Sequence, residues 1–379
     1  MPTNAISPGR RKTMKSIEVP AKKKDKIKNA SAKAKPFVSI VVPAYNEASI
    51  MERNLEKLCE YMKSLEEEYR WELIIVNDGS TDETGELAET FARNRNNIHV
   101  LHHHVNFRLG QALRFAFNNF KGDYVITMDL DLSYSPDHIE KMLNKIRETK
   151  AKIVIASPYM KGGKISNVSK MRRILSLWAN RFLSLCAKKN FSTITGMVRA
   201  YDRKFIKTLS LRAMDVDINY EIIYKAQLLG ARIVEIPAHL NWSYRIKVGN
   251  KRKSSIRIFK TIISVLFGGF IFRPVMFFML PGFTLMLISI YPLSWAFIHT
   301  ITFYNNVPSP AVSFIDRLSI AVVDAFHLSP QSFIIGGITL ILAIQLISLG
   351  ILAFQSKRYF EDLFHFSTII YRYNQENQK

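Results

Sequence analysis

The chain has 379 residues and carries 53 Lys+Arg against 31 Asp+Glu, a net charge of +22. That length exceeds one ordinary domain, and the charge suits nucleic acid, anionic lipid or an anionic substrate without choosing among them. The two cysteines, Cys59 and Cys186, have no metal spacing and no partner pattern; they read as reduced packing residues of a cytosolic compartment, which excludes a disulfide scaffold.

In chain order, residues 1–35 hold eleven Lys/Arg against Glu18 and Asp25 and little that is apolar. This is the composition of a disordered basic tail, with no apolar h-region of a secretory signal, able to meet an anionic membrane leaflet. Residues 36–245 then alternate strand and helix patterns. β-rich runs stand at Phe37–Val42, Trp71–Val76, Ile98–His102, Tyr124–Met128 and Lys152–Ala156. Met51, Leu55, Leu58, Met62 and Leu65 recur at helical spacing, and Ser80 with Glu83 reads as a capping box opening the next helix. Alternation of this kind predicts an α/β domain, placed at 36–250, with a mainly parallel sheet covered on both faces. Ligands of such sheets bind beyond the carboxyl ends of the strands. Three polar loops fall there: Pro43-Ala44-Tyr45-Asn46-Glu47, Asn77-Asp78-Gly79-Ser80-Thr81-Asp82 and Asp129-Leu130-Asp131. In the last, two carboxylates one residue apart end a buried strand, a site suited to a hard divalent cation.

Residues 251–272 predict an amphipathic helix in the membrane interface. Lys253, Arg257, Lys260 and Ser264 fall on one face, and Ile258, Ile262, Val265 and Leu266 on the other. Pro274 to Ile298 and Leu328 to Phe354 are uncharged and long enough to cross a bilayer. Two transmembrane helices joined by an extracytoplasmic loop are therefore placed at 273–356, with a tail at 357–379. Lys247, Lys251, Arg252, Lys253, Arg257, Lys260 and Arg273 precede the first span, and Lys357 and Arg358 follow the second. The connecting loop has only Arg317 against Asp316 and Asp324. The positive-inside rule puts the catalytic domain and both termini in the cytoplasm. No small-xxx-small pattern in the spans is persuasive enough to read an oligomeric state from.

Taken together, Val41-Val42-Pro43-Ala44-Tyr45-Asn46-Glu47, Asn77 to Asp82, Asn106 with Gly110-Gln111-Ala112, Gly122-Asp123-Tyr124, Asp129-Leu130-Asp131-Leu132-Ser133 and Thr195-Gly196-Met197-Val198-Arg199-Ala200-Tyr201 resemble a family-2 glycosyltransferase of the GT-A fold. With the two-span end, the resemblance is to the membrane polyprenyl-phosphate glycosyltransferases, of the dolichol-phosphate mannose synthase type. It implies that Pro43, Ala44, Tyr45, Glu47, Asp78, Gly110, Asp129, Leu130 and Asp131 bind the nucleotide sugar. Asp131 and Asp129 would hold Mg²⁺ or Mn²⁺, the metal neutralising charge on the departing nucleotide diphosphate. Lys161, Arg172, Arg173, Arg199 and Arg245 are the candidates for the acceptor phosphate, with Arg173 and Arg245 matching basic positions of relatives. Asp217 and Glu221 stand where relatives carry an acidic residue near the acceptor. A carboxylate there could orient the acceptor, act as base, or cap a helix.

The chain departs from the mannose synthases at two positions. Ser133 replaces a Gln that adds a metal contact, and Ser157-Pro158-Tyr159 lacks the Arg of a Ser-Arg-Tyr segment. Gly162-Gly163 fits a loop able to close over substrates. No Gln-x-x-Arg-Trp follows the carboxylate pair, which favours single-sugar transfer over a processive synthase. His102-His103-His104 is not expected to bind metal, because adjacent residues of a strand cannot all face one ion. Asp215 and Asp217 lack the buried strand that a second carboxylate pair would need. Phe277, Phe278 and Trp295 read as bilayer-facing or interface anchors.

The expected function is an inverting, metal-dependent transfer of one sugar from a nucleotide-diphosphate sugar to a polyprenyl (dolichyl or undecaprenyl) phosphate. The alternatives are transfer to a hydroxyl acceptor (glycolipid or glycan) and a catalytically silent membrane scaffold. Nucleic acid is discounted, since the basic residues cluster in the tail and beside the spans rather than with aromatics on a sheet face.

Overall fold

The computed structural model describes residues 35–187, 191–243, 269–270, 273–307 and 313–377. The basic tail up to residue 34, Arg245 and all but residues 269–270 of the stretch before Arg273 lie outside the described residues.

The domain is built on a seven-stranded sheet of β1 (Phe37–Ala44), β2 (Arg70–Asp78), β3 (Ile98–His103), β4 (Tyr124–Thr127), β5 (Ile153–Ser157), β7 (Arg199–Asp202) and β8 (Ile233–Pro237), in the order β3-β2-β1-β4-β7-β5-β8. All pairings are parallel except those of β7, which runs antiparallel between β4 and β5. The expected α/β class and mainly parallel sheet are therefore present. Two short strands, β6 (Lys164–Ser166) and β9 (His239–Asn241), pair in a second sheet.

Both faces of the large sheet are covered because its strands are apolar on both sides. Val38, Ile40 and Val42 face one core with Met51, Leu55, Leu58 and Met62 of α1 (Ala48–Ser64), Phe91 of α2 (Thr84–Ala92) and Ile139, Met142 and Leu143 of α4 (Asp137–Thr149). Val41 faces the other with Leu113 and Ala116 of α3 (Arg108–Asn119), Ala179 and Leu183 of α5 (Lys170–Cys186), Phe205 of α6 (Arg203–Thr208) and Ile222 and Ile223 of α7 (Ile218–Leu228). The chain reverses direction across the sheet at β1, which has β2 on one side and β4 on the other. In sheets of this kind such a switch point is where a ligand crevice forms, here at the carboxyl ends of β1 and β4.

The capping box does not form. α2 begins at Thr84 with Glu83 as its N-cap residue and no side-chain cap bond, and the Ser80 hydroxyl instead accepts the backbone N–H of Asn46 at 3.1 Å.

Beyond the sheet domain come α8 (Pro274–Asn306), α9 (Phe314–Leu328) and α10 (Pro330–Asn377). α8 and α10 are long and apolar enough to cross a membrane, and only 11% and 17% of their most apolar stretches are buried, unlike the core helices of a soluble protein. The expected loop between the spans contains α9, whose Ala321 and Ala325 are buried. α10 does not stop at the end of its apolar run; 48 residues long, it takes in most of the expected tail.

The two long helices meet through small residues spaced by seven. On α8, Ser289 and Ala296 are buried, as is Ala343 on α10. A Cβ on Gly282 would stand 2.9 Å from Ile347, one on Gly336 3.0 Å from Leu293, and one on Gly350 2.5 Å from Met279. Each of these glycines thus meets a larger side chain of the other helix, and Gly282, Ser289 and Ala296 on α8, like Gly336, Ala343 and Gly350 on α10, repeat at 3.5 residues per turn. This is the period of a left-handed pair, and small side chains let the backbones approach.

Candidate active site

The first two strand-end loops are stitched to each other. Asn46 has φ +54°, and its Oδ1 accepts the Thr81 N–H at 2.9 Å. Glu47 N–H donates to Thr84 Oγ1 at 2.9 Å, and Ala48 N–H to Asp82 Oδ2 at 3.3 Å. Asp82 Oδ1 accepts the Thr84 N–H at 3.0 Å. Ala44 is buried while Tyr45 stays 39% exposed, so the loop presents an aromatic ring at its tip. Gly79 (φ +64°) is required: a Cβ there would lie 2.2 Å from the Val105 carbonyl carbon.

Asp78 is buried at the end of β2. Its Oδ1 accepts from His103 Nδ1 at 2.7 Å and from Phe107 N–H at 3.0 Å, and its Oδ2 from Arg108 N–H at 2.8 Å. Arg108 has φ +73°, and the His103 ring stacks on Phe115 with centroids 5.1 Å apart. Asp78 therefore anchors the loop between β3 and α3. The histidine run splits as strand alternation requires: His102 turns to Asn77 (3.0 Å) and Glu89 (2.8 Å), and His103 to Asp78. Gly110 packs against the segment before α7, where a Cβ would stand 2.5 Å from the Ala213 carbonyl oxygen.

The third loop follows β4. Asp131 is buried, its Oδ1 accepting the Ser133 N–H at 2.9 Å, and Leu132 between them has φ +47°. Asn46 after β1, Arg108 after β3 and Leu132 after β4 are non-glycine residues in the left-handed region, a conformation that gathers at functional sites. The Leu130 side chain is buried in the core and its carbonyl accepts from Asn54 Nδ2 at 3.0 Å, so only its backbone can serve a ligand. The Ser133 carbonyl accepts from Asn241 N–H at 2.8 Å, fastening this loop to β9. Among the described residues no three or more His, Cys, Asp or Glu gather as a metal cage. Two carboxylates with a neighbouring hydroxyl nevertheless fit Mg²⁺ or Mn²⁺, since such ions are held by one or two carboxylates, with substrate phosphates and water completing the shell.

From this loop a series of electrostatic neighbours leads to α5. Burial raises the Tyr134 hydroxyl far above its ordinary range, Asp129 adds to it, and Tyr159 and Asp131 are also close by. Burial raises Tyr159 too, opposed by a hydrogen bond with Ser176 and by the charge of Arg173 on α5. Arg172 lies over the Trp242 ring at 5.0 Å. On either side of these cations Met171 (67%), Ile174 (64%) and Trp178 (42%) are exposed. The far end of α5 reaches the first long apolar helix, where Phe182 meets Phe277 edge-on at 5.9 Å. Lys161 is exposed on the loop after β5.

Two expected residues are placed elsewhere. Arg199 is fully buried and donates to the carbonyls of Asn219 (3.0 Å) and Ile194 (2.5 Å); desolvation lowers its pKa. It supports the loop before β7 and presents no cation at the surface. Glu221 accepts the N–H groups of Arg212 (2.9 Å) and Ala213 (2.8 Å) and pairs with Lys225 at 2.6 Å. Both of its oxygens are engaged in holding the segment before α7. Asp217 Oδ1 accepts the Asp215 N–H at 2.9 Å, and Asp215 pairs with Arg108 at 2.7 Å.

Two residues that hold the loop before β7 were not legible from type alone. Buried Asn180 Oδ1 accepts the N–H groups of Ile194 (2.7 Å) and Thr195 (3.1 Å). Glu235 accepts those of Ser192 and Thr193, each at 2.8 Å. Carboxamide and carboxylate thus hold one loop in place between α5 and β8.

Residues 39–210, which contain all three strand-end loops, match the model of glycosyl transferase family 2. The chain carries a family 2 glycosyltransferase domain. As a glycosyltransferase it is 27% identical over 216 residues to a dolichyl-phosphate beta-glucosyltransferase of Trichomonas vaginalis, covering 55% of this chain and 67% of that one. It is 28% identical over 206 residues to an undecaprenyl-phosphate mannosyltransferase of Micrococcus luteus, covering 53% and 82%. Against a dolichol-phosphate mannosyltransferase of Pyrococcus furiosus the figures are 27% over 202 residues, covering 53% of this chain and 55% of that one.

Proposed function

We propose that this glycosyltransferase moves a single sugar, with inversion, from a nucleotide-diphosphate sugar to a polyprenyl phosphate at the cytoplasmic face of a membrane. The observation that carries this reading is α5. Its Ser176 bonds Tyr159, which lies within electrostatic reach of Arg173 and of Tyr134 beside the carboxylate loop, and its Phe182 end meets the apolar α8. A cationic helix between a nucleotide-diphosphate site and a membrane span suits an acceptor that is a phosphate at one end and lipid at the other. The excess of Lys and Arg outside the spans, against one Arg between them, supports the cytoplasmic face.

The donor would lie in the crevice beyond β1 and β4, with Pro43, Ala44, Tyr45, Glu47 and Asp78 on the nucleoside side and the backbone at Gly110 and Leu130 closing it. Asp131, Asp129 and Ser133 would hold Mg²⁺ or Mn²⁺, which when bound supplies positive charge beside the diphosphate. Arg172 and Arg173, with Lys161 from the Gly162-Gly163 loop, would gather the acceptor phosphate; Arg245 is the remaining candidate. A phosphate oxygen attacks the anomeric carbon from the side opposite the nucleotide. The new bond to the phosphate forms as the bond to the diphosphate breaks, and its electron pair leaves with the nucleotide diphosphate. A phosphate monoester, with a second pKa of about 6, is already anionic near neutral pH, so the attack needs no general base. This agrees with the engagement of Glu221 in backbone bonds.

The test is competition between acceptors. Offered polyprenyl phosphate and diacylglycerol in equal amount with a nucleotide sugar, the enzyme is expected to label only the phosphate, giving a product of inverted anomeric configuration by NMR. Label on the hydroxyl would replace this reading with a glycolipid synthase.

A further inference from the structure

α10 is a single helix of 48 residues, about 72 Å at 1.5 Å per residue. Its uncharged stretch ends near Phe354, and the next turns lie against the sheet domain. The Tyr224 hydroxyl of α7 donates to Glu361 Oε1 at 3.1 Å, and Lys357 Nζ stands 3.7 Å from the same oxygen and 5.6 Å over the Tyr224 ring. Tyr224 stacks on Phe360 with centroids 6.4 Å apart. Phe364 is buried in the same core as α7, with Lys225 Nζ over its ring at 5.5 Å. The seven-residue series that turns Gly336, Ala343 and Gly350 toward α8 continues as Lys357 and Phe364, so one seam of one helix packs first on the other span and then on the catalytic domain.

Bonded contacts run inward from this seam. Lys225 also donates to the Ser210 carbonyl and pairs with Glu221. Glu221 holds Arg212 and Ala213, whose segment abuts Gly110. Asp215 of that segment pairs with the Arg108 side chain, and the Arg108 N–H is bonded to Asp78.

We propose that the docked end of α10, through Tyr224, Glu361 and Phe364, is a positioning element. It fixes the height and tilt of the catalytic domain over the membrane, so that a membrane-embedded acceptor phosphate reaches the donor. These residues touch neither substrate. The proposal rests on the lipid-phosphate reading above, and its particular consequence is that a water-soluble acceptor has no need of it.

The experiment compares polyprenyl phosphate in proteoliposomes with a short-chain, water-soluble prenyl phosphate. Three variants are used: Phe364→Ala, Tyr224→Phe, and three glycines inserted after Phe354, which leave every docking residue in place but uncouple it from the span. For the insertion, turnover on the embedded acceptor is expected to fall about tenfold or more, with the soluble acceptor within about twofold of wild type. Tyr224→Phe should move the same ratio less, at an unchanged melting temperature. Equal loss on both acceptors, or loss on neither, would overturn the positioning role while leaving the lipid-phosphate reading intact. A wild-type enzyme that glycosylates neither prenyl phosphate would remove that reading, and this one with it.

Discussion

His103 donates to Asp78 across neighbouring strand ends at 2.7 Å, both side chains nearly closed to solvent. The bond ties the loop expected to bind the nucleotide base to the loop that opens α3. His103→Phe keeps a ring to stack on Phe115 but removes the donor. Stability should fall by about 1–3 kcal/mol, as expected when a buried charged acceptor loses a partner. Calorimetric titration with a nucleotide diphosphate and Mg²⁺ should show about tenfold weaker binding, the equivalent of roughly 1.4 kcal/mol. Unchanged binding would detach Asp78 from the nucleotide.

Glu221 offers a direct separation of structural from chemical roles. Glu221→Gln leaves the buried Lys225 ammonium without its counter-charge, so thermal or denaturant unfolding should report a loss of about 3 kcal/mol. Turnover per folded molecule on a phosphate acceptor should stay within about threefold of wild type. A variant that melts like the wild type and yet has no turnover would make Glu221 the general base and favour a hydroxyl acceptor.

Arg172 and Arg173 should govern the acceptor and not the donor. Arg173→Ala is expected to raise the KM for polyprenyl phosphate about tenfold or more, a lost charge-assisted bond, without changing the KM for the nucleotide sugar. Arg173→Lys should recover part of the loss, because a point charge attracts phosphate without the planar fork. A rise confined to the donor KM would reassign the residue.

The paired apolar helices give a test with its own control. Ala343→Leu forces a larger side chain into the seam and should destabilise the protein in detergent by about 1–3 kcal/mol. A Cβ on Gly337, one residue from the seam member Gly336, meets nothing within 4 Å, so Gly337→Leu should leave the melting temperature unchanged. Equal effects of the two would mean that α8 and α10 do not pack through this seam.

The strand ends that carry the candidate site were legible where the sequence signal is local. An apolar run followed by Asn77-Asp78 or Asp129-Leu130-Asp131 marks a strand end, and the parallel sheet brings all such ends to one edge. What escaped the sequence depends on distant partners. β7 enters the sheet antiparallel between β4 and β5, and only that placement buries Arg199; the residue type alone points to the surface. The engagement of Glu221 was half visible, since a Glu four residues before a Lys pairs on a helix, but its backbone partners Arg212 and Ala213 are fixed by a loop. The small residues at a spacing of seven were missed because Ser332 and Gly336, and Thr339 and Ala343, also stand at the commoner spacing of four, and the sequence alone does not say which spacing faces the other helix. Asn180 and Glu235 carry no signal of type or spacing, because each acts on backbone N–H groups far along the chain.

The most direct measurement is transfer itself. Purified full-length protein with Mg²⁺ or Mn²⁺ is given UDP-, GDP- and TDP-sugars and a polyprenyl phosphate, and lipid-linked product is read by mass spectrometry beside Asp131→Asn and a chelated control. The expected result is one lipid-phosphate-sugar, absent in the variant and under chelation. A donor that binds but yields no lipid-linked sugar, or a product that survives both Asp131→Asn and chelation, would contradict the account.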